Sequence, residues 1–198
     1  LESTIITHGM PYPDNLKFAN KSESLCRKLG VVPATIGVID GFVYVGLSFD
    51  QLAFICNNKK NHKISRRDIG LAITNRWSGG TTVSATMQIS HNVGIRVFST
   101  GGIGGVHRGF NKFFDVSQDL LSLKETPMIV VSSGVKAILD IGKTIENLET
   151  NGIVVLGYRR GRAGATMACA EQELGRQCCC CLTKVVLARS AAPIPASF

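Results

Sequence analysis

Between Ile95 and Asp140 the sequence places two glycine pairs, two aspartates and a lysine beside apolar runs. It reads IRVFSTGGIGGVHRGFNKFFDVSQDL, then PMIVVSSGVKAILD. Gly101, Gly102, Gly104 and Gly105 can bring backbone amides up to a phosphate, or they can simply form a tight turn. Asp115 and Asp119 suit a metal or a sugar hydroxyl. Standing four apart, they share one face if the segment is helical, where capping and solvent exposure are the plainer alternative. Lys136 follows an apolar run and a Ser-Ser-Gly turn. In an apolar pocket, desolvation frees such an amine for imine formation; on the first turn of a helix it is an ordinary surface lysine. Taken together, these groups point to covalent chemistry on a phosphorylated sugar.

Other candidates are weaker by themselves. GGIGGVHRG is not a dinucleotide fingerprint, because His107 occupies the third glycine position counted from Gly102, and no Gly-Lys-Ser/Thr follows to make a P-loop. Ser78-Gly79-Gly80-Thr81-Thr82 opens a helical pattern, so it offers an anion site or a simple N-cap. Lys63 and the Arg66-Arg67 pair can hold a phosphate, although charge on a strand edge is commonplace. Glu2 precedes Ser3, Thr4 and an apolar pair, and a glutamate there is ordinarily solvated. His8, His62, His91 and His107 share no ligand spacing, which argues against zinc.

The elements that must position these groups follow from periodicity and punctuation. Asp14 caps a helix that reaches about Leu29, with Gly30 as its stop. ATIGVI and FVYVGL flank Asp40-Gly41, a hairpin signal. Ser48 opens the short helix QLAFICNN, and KISRRDIG begins an extended segment at Lys63. SGGTTVSATMQISHNVG reads as a glycine-rich loop entering a helix. IRVFS, MIVVSS and IVVLGY read as buried strands, DVSQDLLSL as a short helix, and VKAILDIGKTIENLETNG as a helix stopped by Gly152. Strands alternating with helices from Ser78 onward predict an α/β fold with a sheet covered on both faces, and ligands in such sheets gather at the carboxyl ends of strands.

Composition sets the class. The chain of 198 residues is 44% hydrophobic, enough to bury one sizeable core. Glycine or charge interrupts every apolar run, so no membrane span is expected. The start, LESTIITHGMPYP, lacks the order of a secretory signal. The formal charge is +8, but residues 159–198 carry six arginines and lysines against two glutamates, half of that excess. With nine Phe, three Tyr and one Trp scattered through the chain, no stacking platform for nucleic acid is apparent, and nucleic-acid binding is not expected. Cys26 and Cys56 sit among apolar residues and read as buried thiols. Cys169 and the consecutive Cys178 to Cys181 lie near the end, without the spaced pairs of a zinc site. The body therefore reads as a reduced, intracellular protein, cytoplasmic or mitochondrial. After Tyr158 the pattern fades, and residues 159–198 read as a divergent, basic, Cys-rich and disordered tail.

In order along Leu1 to Tyr158, the segments LESTIITHGMPYP, VPATIGVIDG, VGLS, KISRRD, SGGTTVSATM, GIRVFSTGGIGGVHRG, FDVSQDL, GVKAILDI and TIENLETNGIVVLGY resemble the pseudouridine-5′-phosphate glycosidase family, also known as pseudouridylate synthases, which includes the indigoidine-synthase-A-like proteins. The resemblance implies a three-layer α/β/α sandwich with a mixed, largely parallel sheet, assembled as a homotrimer. It implies reversible cleavage of the C–C glycosidic bond of pseudouridine 5′-phosphate to uracil and ribose 5-phosphate. By motif, Lys136 matches the nucleophile that forms the imine, Glu2 the proton donor, and Asp115 the ligand of a divalent metal, typically Mn²⁺. Lys63, Val83, Ser117, Gln118 and Asp119 match substrate contacts. Two departures stand out. Asn75-Arg76-Trp77 replaces smaller apolar residues, and Ser132-Ser133 replaces Cys-Ala. The family also continues beyond the Gly-Tyr with a large further segment, so the alternative expectation is an incomplete, inactive product of this family comprising domain 1–158 and the tail.

Overall fold

The computed structural model describes residues 1–161, 164–169 and 183–187. The chain divides into two compact units, Leu1–Gly94 with Ser99–Gly101, and Ile95–Phe98 with Gly102–Phe198. The sequence pattern shows no such division. It falls inside the stretch that the motifs read as continuous.

In the first unit, residues 1–3 lie beside the first strand, and a π-helical turn, Ile5–Gly9, leads to α1 (Asp14–Lys28). β1 (Ile36–Ile39) and β2 (Phe42–Val45) form the expected hairpin, with Asp40 and Gly41 both at positive φ, the backbone that a two-residue primed turn requires. Ser48 caps α2 (Phe49–Asn57) through a full capping box with Gln51. β3 (His62–Ile64) leads through a 3₁₀ turn, Arg66–Asp68, to α3 (Ile69–Thr74). Gly79–Thr81, read from the sequence as loop, forms the strand β4, followed by α4 (Val83–Asn92). The sheet order is β2-β1-β4-β3, with β3–β4 parallel and the other pairs antiparallel. Two glycines look like loop because they lack β propensity; here their missing side chains are what let the strand enter the sheet. Ile6, Ala19, Leu47, Leu52, Ile55 and Cys56 form one core cluster and Val38, Ile64 and Ala72 another. Burial pushes the Cys56 thiol up to about 11, as expected of an inert core thiol.

The second unit contains a five-stranded sheet in the order β5 (Val97–Ser99), β6 (Ile129–Ser132), β9 (Thr183–Leu187), β7 (Val154–Gly161), β8 (Gly164–Cys169). β9 is antiparallel to both β6 and β7, so those two strands run the same way, joined through α7 (Ile141–Thr150) in the manner of a crossover. β7 and β8 form an antiparallel pair. α5 (Phe110–Phe113) and α6 (Gln118–Glu125) lie between β5 and β6. The α/β class expected from the alternation of strands and helices holds, with both directions of pairing present. β8 and β9 fall in the stretch after Tyr158 that lacks sustained periodicity. Thr183, Val185 and Val186 are β-branched residues that suit a strand. Cys178 to Cys181 lie outside the described residues. Among the described residues, no helix is long and apolar enough to cross a membrane.

Candidate functional site

Each unit carries its own group of the predicted residues. In the first unit, Glu2, Lys63 and Val83 all attach to β4. Lys63 stands beside Gly80 in the parallel β3–β4 register. Val83 follows Thr81 and Thr82 as the first residue of α4. Glu2 precedes Ser3, whose hydroxyl accepts from the Thr81 amide at 2.9 Å. The two β4 glycines serve close packing. A Cβ on Gly79 would lie 2.0 Å from the His62 carbonyl oxygen, and one on Gly80 would lie 2.2 Å from Thr7 Oγ1 and 2.8 Å from the Ser3 carbonyl oxygen.

The three residues differ in setting. Glu2 is 8% exposed, against the solvated position expected from the sequence, because residues 1–3 lie along β1, where the Ile36 amide donates to the Leu1 carbonyl at 3.1 Å. Its carboxylate accepts from the Thr100 hydroxyl. A cavity of about 290 Å³ opens beside it, lined among others by Ile5, Phe18, Leu25, Thr35 and Thr100. Val83 is buried and Lys63 exposed. Nearby, Ser65 and Arg67 surround Asp68. Burial alone would raise its pKa, but the Ser65 hydroxyl and amide together with the Arg67 guanidinium outweigh that and lower it.

In the second unit, Asp115, Ser117, Asp119 and Lys136 gather on the segment Gly102–His107, and Gln118 stands between Ser117 and Asp119 as the first residue of α6. Ile103 bridges Val135 in parallel and Val106 bridges Val116 in antiparallel. The Ile103 amide donates to the Gly134 carbonyl and the Lys136 amide to the Ile103 carbonyl. The Ser117 amide donates to the Gly105 carbonyl at 2.9 Å. The Gly104 amide, which the sequence offers to a phosphate, donates to the Asp119 carboxylate at 2.8 Å. A Cβ on Gly104 would lie 2.1 Å from Ser117 Oγ, and one on Gly105 would lie 2.4 Å from Thr144 Oγ1. The second glycine pair therefore seats its own neighbours' side chains.

Asp115 and Asp119 do not share a helical face. α6 begins at Gln118, capped by the Ser117 hydroxyl, which accepts from the Asp119 amide. Asp119 is buried, whereas Asp115 is exposed in the preceding loop with its carboxylate 3.5 Å from His107 Nδ1. Lys136 is not on a helix, because Val135 is still in a β-bridge and Asp140 caps α7 through the Lys143 amide five residues past Val135. Its side chain is exposed, the surface setting of the two that the sequence leaves open. The Asp140 carboxyl is held below its ordinary range, chiefly by the Lys143 ammonium and then by the Lys143 amide.

No cluster of three or more His, Cys, Asp or Glu side chains able to hold a metal occurs among the described residues. Asp115 with His107 supplies two donors. The exposed Asp115 carboxylate suits a hard cation such as Mg²⁺ or Mn²⁺, which keeps waters and substrate oxygens as its remaining ligands, whereas the His107 nitrogen is a softer donor. Sequence spacing concealed three participants. Thr100 meets Glu2, His107 meets Asp115 and Thr144 lies under Gly105, with the Val106 amide donating to its hydroxyl at 2.9 Å. The only hint in the sequence was that Thr100 and His107 flank the glycine pairs.

A model of the family described as indigoidine synthase A like protein matches residues 1–177. A pseudouridine-5′-phosphate glycosidase of Dinoroseobacter shibae is 55% identical over 159 residues, 80% of this chain and 52% of that protein. The enzyme of the same name from Mycoplasmopsis agalactiae is 51% identical over 165 residues, 83% of this chain and 55% of its own length. The chain thus spans about half the length of the curated relatives it matches. Among solved structures, an indigoidine synthase A-like protein from Thermotoga maritima aligns with a TM-score of 0.73 at 36% identity, over 77% of this chain and 51% of the other. The prealnumycin C-glycosynthase AlnA, in complex with ribulose 5-phosphate, aligns with a TM-score of 0.70 at 44% identity, over 76% and 49%.

Proposed function

The chain belongs to the indigoidine synthase A like family, and on that premise we propose that it derives from an enzyme that reversibly cleaves the C–C glycosidic bond of pseudouridine 5′-phosphate, giving uracil and ribose 5-phosphate. The observation that supports this reading most is 55% identity over 159 residues to a pseudouridine-5′-phosphate glycosidase; the family match, residues 1–177, holds Glu2, Lys63, Val83, Asp115, Ser117, Gln118, Asp119 and Lys136.

In this reading Lys136 is the nucleophile. Glu2 protonates the ring oxygen as the C1′–O4′ bond breaks, the Lys136 amine adds to C1′ and loses a proton, and the C1′–C5 bond then breaks with its electron pair going to uracil, whose C5 takes up a proton. C1′ is left as the lysine imine, which water hydrolyses to ribose 5-phosphate. Glu2 is the proton donor, its carboxylate oriented by the Thr100 hydroxyl. The Ser117–Asp119 segment and Lys63 contact the sugar phosphate. The buried Asp119 carboxylate repels phosphate oxygens, so its natural partner is a sugar hydroxyl. Val83 supplies apolar contact. Asp115, with His107, would hold a divalent cation such as Mn²⁺, whose contribution is to neutralise phosphate and sugar oxygens. The partners are these small molecules and, by the family pattern, two further copies of the chain in a homotrimer.

Borohydride reduction in the presence of ribose 5-phosphate, followed by peptide mapping, tests the reading. The expected product is a sugar-phosphate adduct on Lys136, lost in Lys136→Ala. An adduct spread over several lysines, or none, overturns it. A second reading, a partial-length relative without activity, is favoured by the exposure of Lys136, since burial is what frees a lysine amine. Melting with and without ribose 5-phosphate and Mn²⁺ separates the two. A ligand-dependent rise in Tm supports the first reading and its absence the second.

A further inference from the structure

We infer that Ser3 is a positioning residue for Glu2, acting through a buried array of hydroxyls that ends on Thr86. The inference rests on the role given to Glu2 above. Ser3, Thr81 and Thr86 are all fully buried. The Ser3 hydroxyl donates to the Ile36 carbonyl at 2.5 Å and accepts from the Thr81 amide at 2.9 Å. The Thr81 hydroxyl donates to the same Ile36 carbonyl at 2.9 Å. Both hydroxyl hydrogens are thereby used, and the Thr86 hydroxyl, 2.9 Å from Thr81 Oγ1, is left to donate to Thr81.

The array ties three segments at one point: residues 1–3, the start of β1, and β4 where it turns into α4. Backbone ties hold the ends of the segment as well: the Leu1 ammonium donates to the Ala34 carbonyl at 2.8 Å, and the Ser3 carbonyl accepts from the Ile6 and Thr7 amides. The Ile36 amide fixes Leu1 from one side, and the Ser3 hydroxyl fixes the chain on the other side of Glu2. Glu2 therefore sits between two anchors, with its carboxylate reaching Thr100. Gly80 makes this close approach possible, since a Cβ there would strike the Ser3 carbonyl. A fully satisfied buried polar cluster has one low-energy arrangement, which is how it can set the direction of a neighbouring side chain. Holding an acid within a fraction of an ångström of its proton acceptor is worth orders of magnitude in rate.

The test uses the full chain labelled with ¹³C at threonine methyls. Glu2→Gln defines the displacement of the Thr100 methyl resonance when its carboxylate partner is lost. Ser3→Ala, which removes no group in contact with Thr100, is expected to displace the same resonance by at least half as much. Thr81→Val is expected to do likewise, and Thr81→Ser, which keeps the hydroxyl, to restore the original position. If Ser3→Ala fails to fold, the Thr81 pair carries the test. In the cleavage assay, Ser3→Ala is expected to lower kcat about tenfold or more while KM stays within about twofold, a split that general loosening of the fold would not give. In a Glu2→Gln background it should lower kcat no further. An unmoved Thr100 methyl in the folded Ser3→Ala and Thr81→Val chains overturns the inference. Full activity in Glu2→Gln, with the Thr100 methyl still displaced by Ser3→Ala, overturns the role of Glu2 and leaves the positioning intact.

Discussion

The two glycine pairs, Gly79-Gly80 in one unit and Gly104-Gly105 in the other, each stand beside candidate functional residues, and each replaces a Cβ with a neighbour. Their neighbours differ. Around Gly79 the obstacle is the His62 backbone, held in the parallel register that also places Lys63 beside Gly80. Around Gly104 and Gly105 the obstacles are the side chains of Ser117, Asp119 and Thr144. A strand backbone in a sheet has nowhere to go, whereas Ser117 Oγ and the Asp119 carboxylate can turn to other rotamers, although Ser117 Cβ, 2.6 Å from the added Cβ, moves only with its own backbone. The first unit therefore holds its candidate residues by backbone register. The second holds them by side chains packed and hydrogen-bonded against a glycine loop.

Several measurements can break or sharpen that contrast. Gly79→Ala should be the most damaging change, costing about 4 kcal/mol or more, the range reserved for strained core positions. Gly104→Ala should cost less, about 3 kcal/mol, the upper range of overpacking, since Ser117 Oγ and Asp119 can adjust while Ser117 Cβ cannot without its backbone. Denaturant unfolding of the two variants compares them directly, and equal costs would erase the distinction between backbone and side-chain obstacles. Next in size is Asn15→Ala. The buried Asn15 amide donates to the Ile6 and Cys56 carbonyls at 2.7 and 2.9 Å, pinning the π-helical turn that follows Glu2 to α2. Leaving those carbonyls without a donor should cost about 2 kcal/mol. The same measurement checks it, and a loss under about 0.5 kcal/mol would mean that the turn is held by packing alone.

The smallest effect is on pH dependence, where the two units are alike. Asp68 in the first and Asp140 in the second both have pKa values lowered by folding. A carboxyl lowered in the folded state contributes stability that is present above its unfolded value, about 3.9, and is lost as pH falls through the folded value. Melting temperatures followed from pH 6 down to pH 2 should therefore fall less steeply in Asp68→Asn and Asp140→Asn than in the parent chain. Parallel curves would show that neither carboxylate matters to folding.

Much of the fold was legible because its signals are local. Ser48 and Gln51 announce the start of α2, and Asp40-Gly41 announces the hairpin. Asp14 begins α1, although its side chain forms no cap and instead pairs with Lys17 at 3.0 Å. Two errors have a common cause. Gly79–Thr81 reads as loop, and Val135-Lys136 reads as helix, because both form β-bridges with segments far along the chain that no local propensity reveals. The same applies to the candidate site. Ser117 to Asp119 are legible as a helix start, whereas the pairing of His107 with Asp115 depends on the bridge between Val106 and Val116.

By itself, the sequence determined the family, the α/β class and the identity of the residues that carry the proposed chemistry, since these depend on residue types in order. Only the tertiary structure decided how those residues are held. It turned the Gly104 amide from a phosphate donor into the anchor of Asp119, buried Glu2 against Thr100, and left Lys136 exposed. The physical reason is that a backbone amide or a carboxylate takes the partner that packing delivers first. Packing is set by contacts between segments as distant as Ser3 and Thr81, which the linear order of residues does not display.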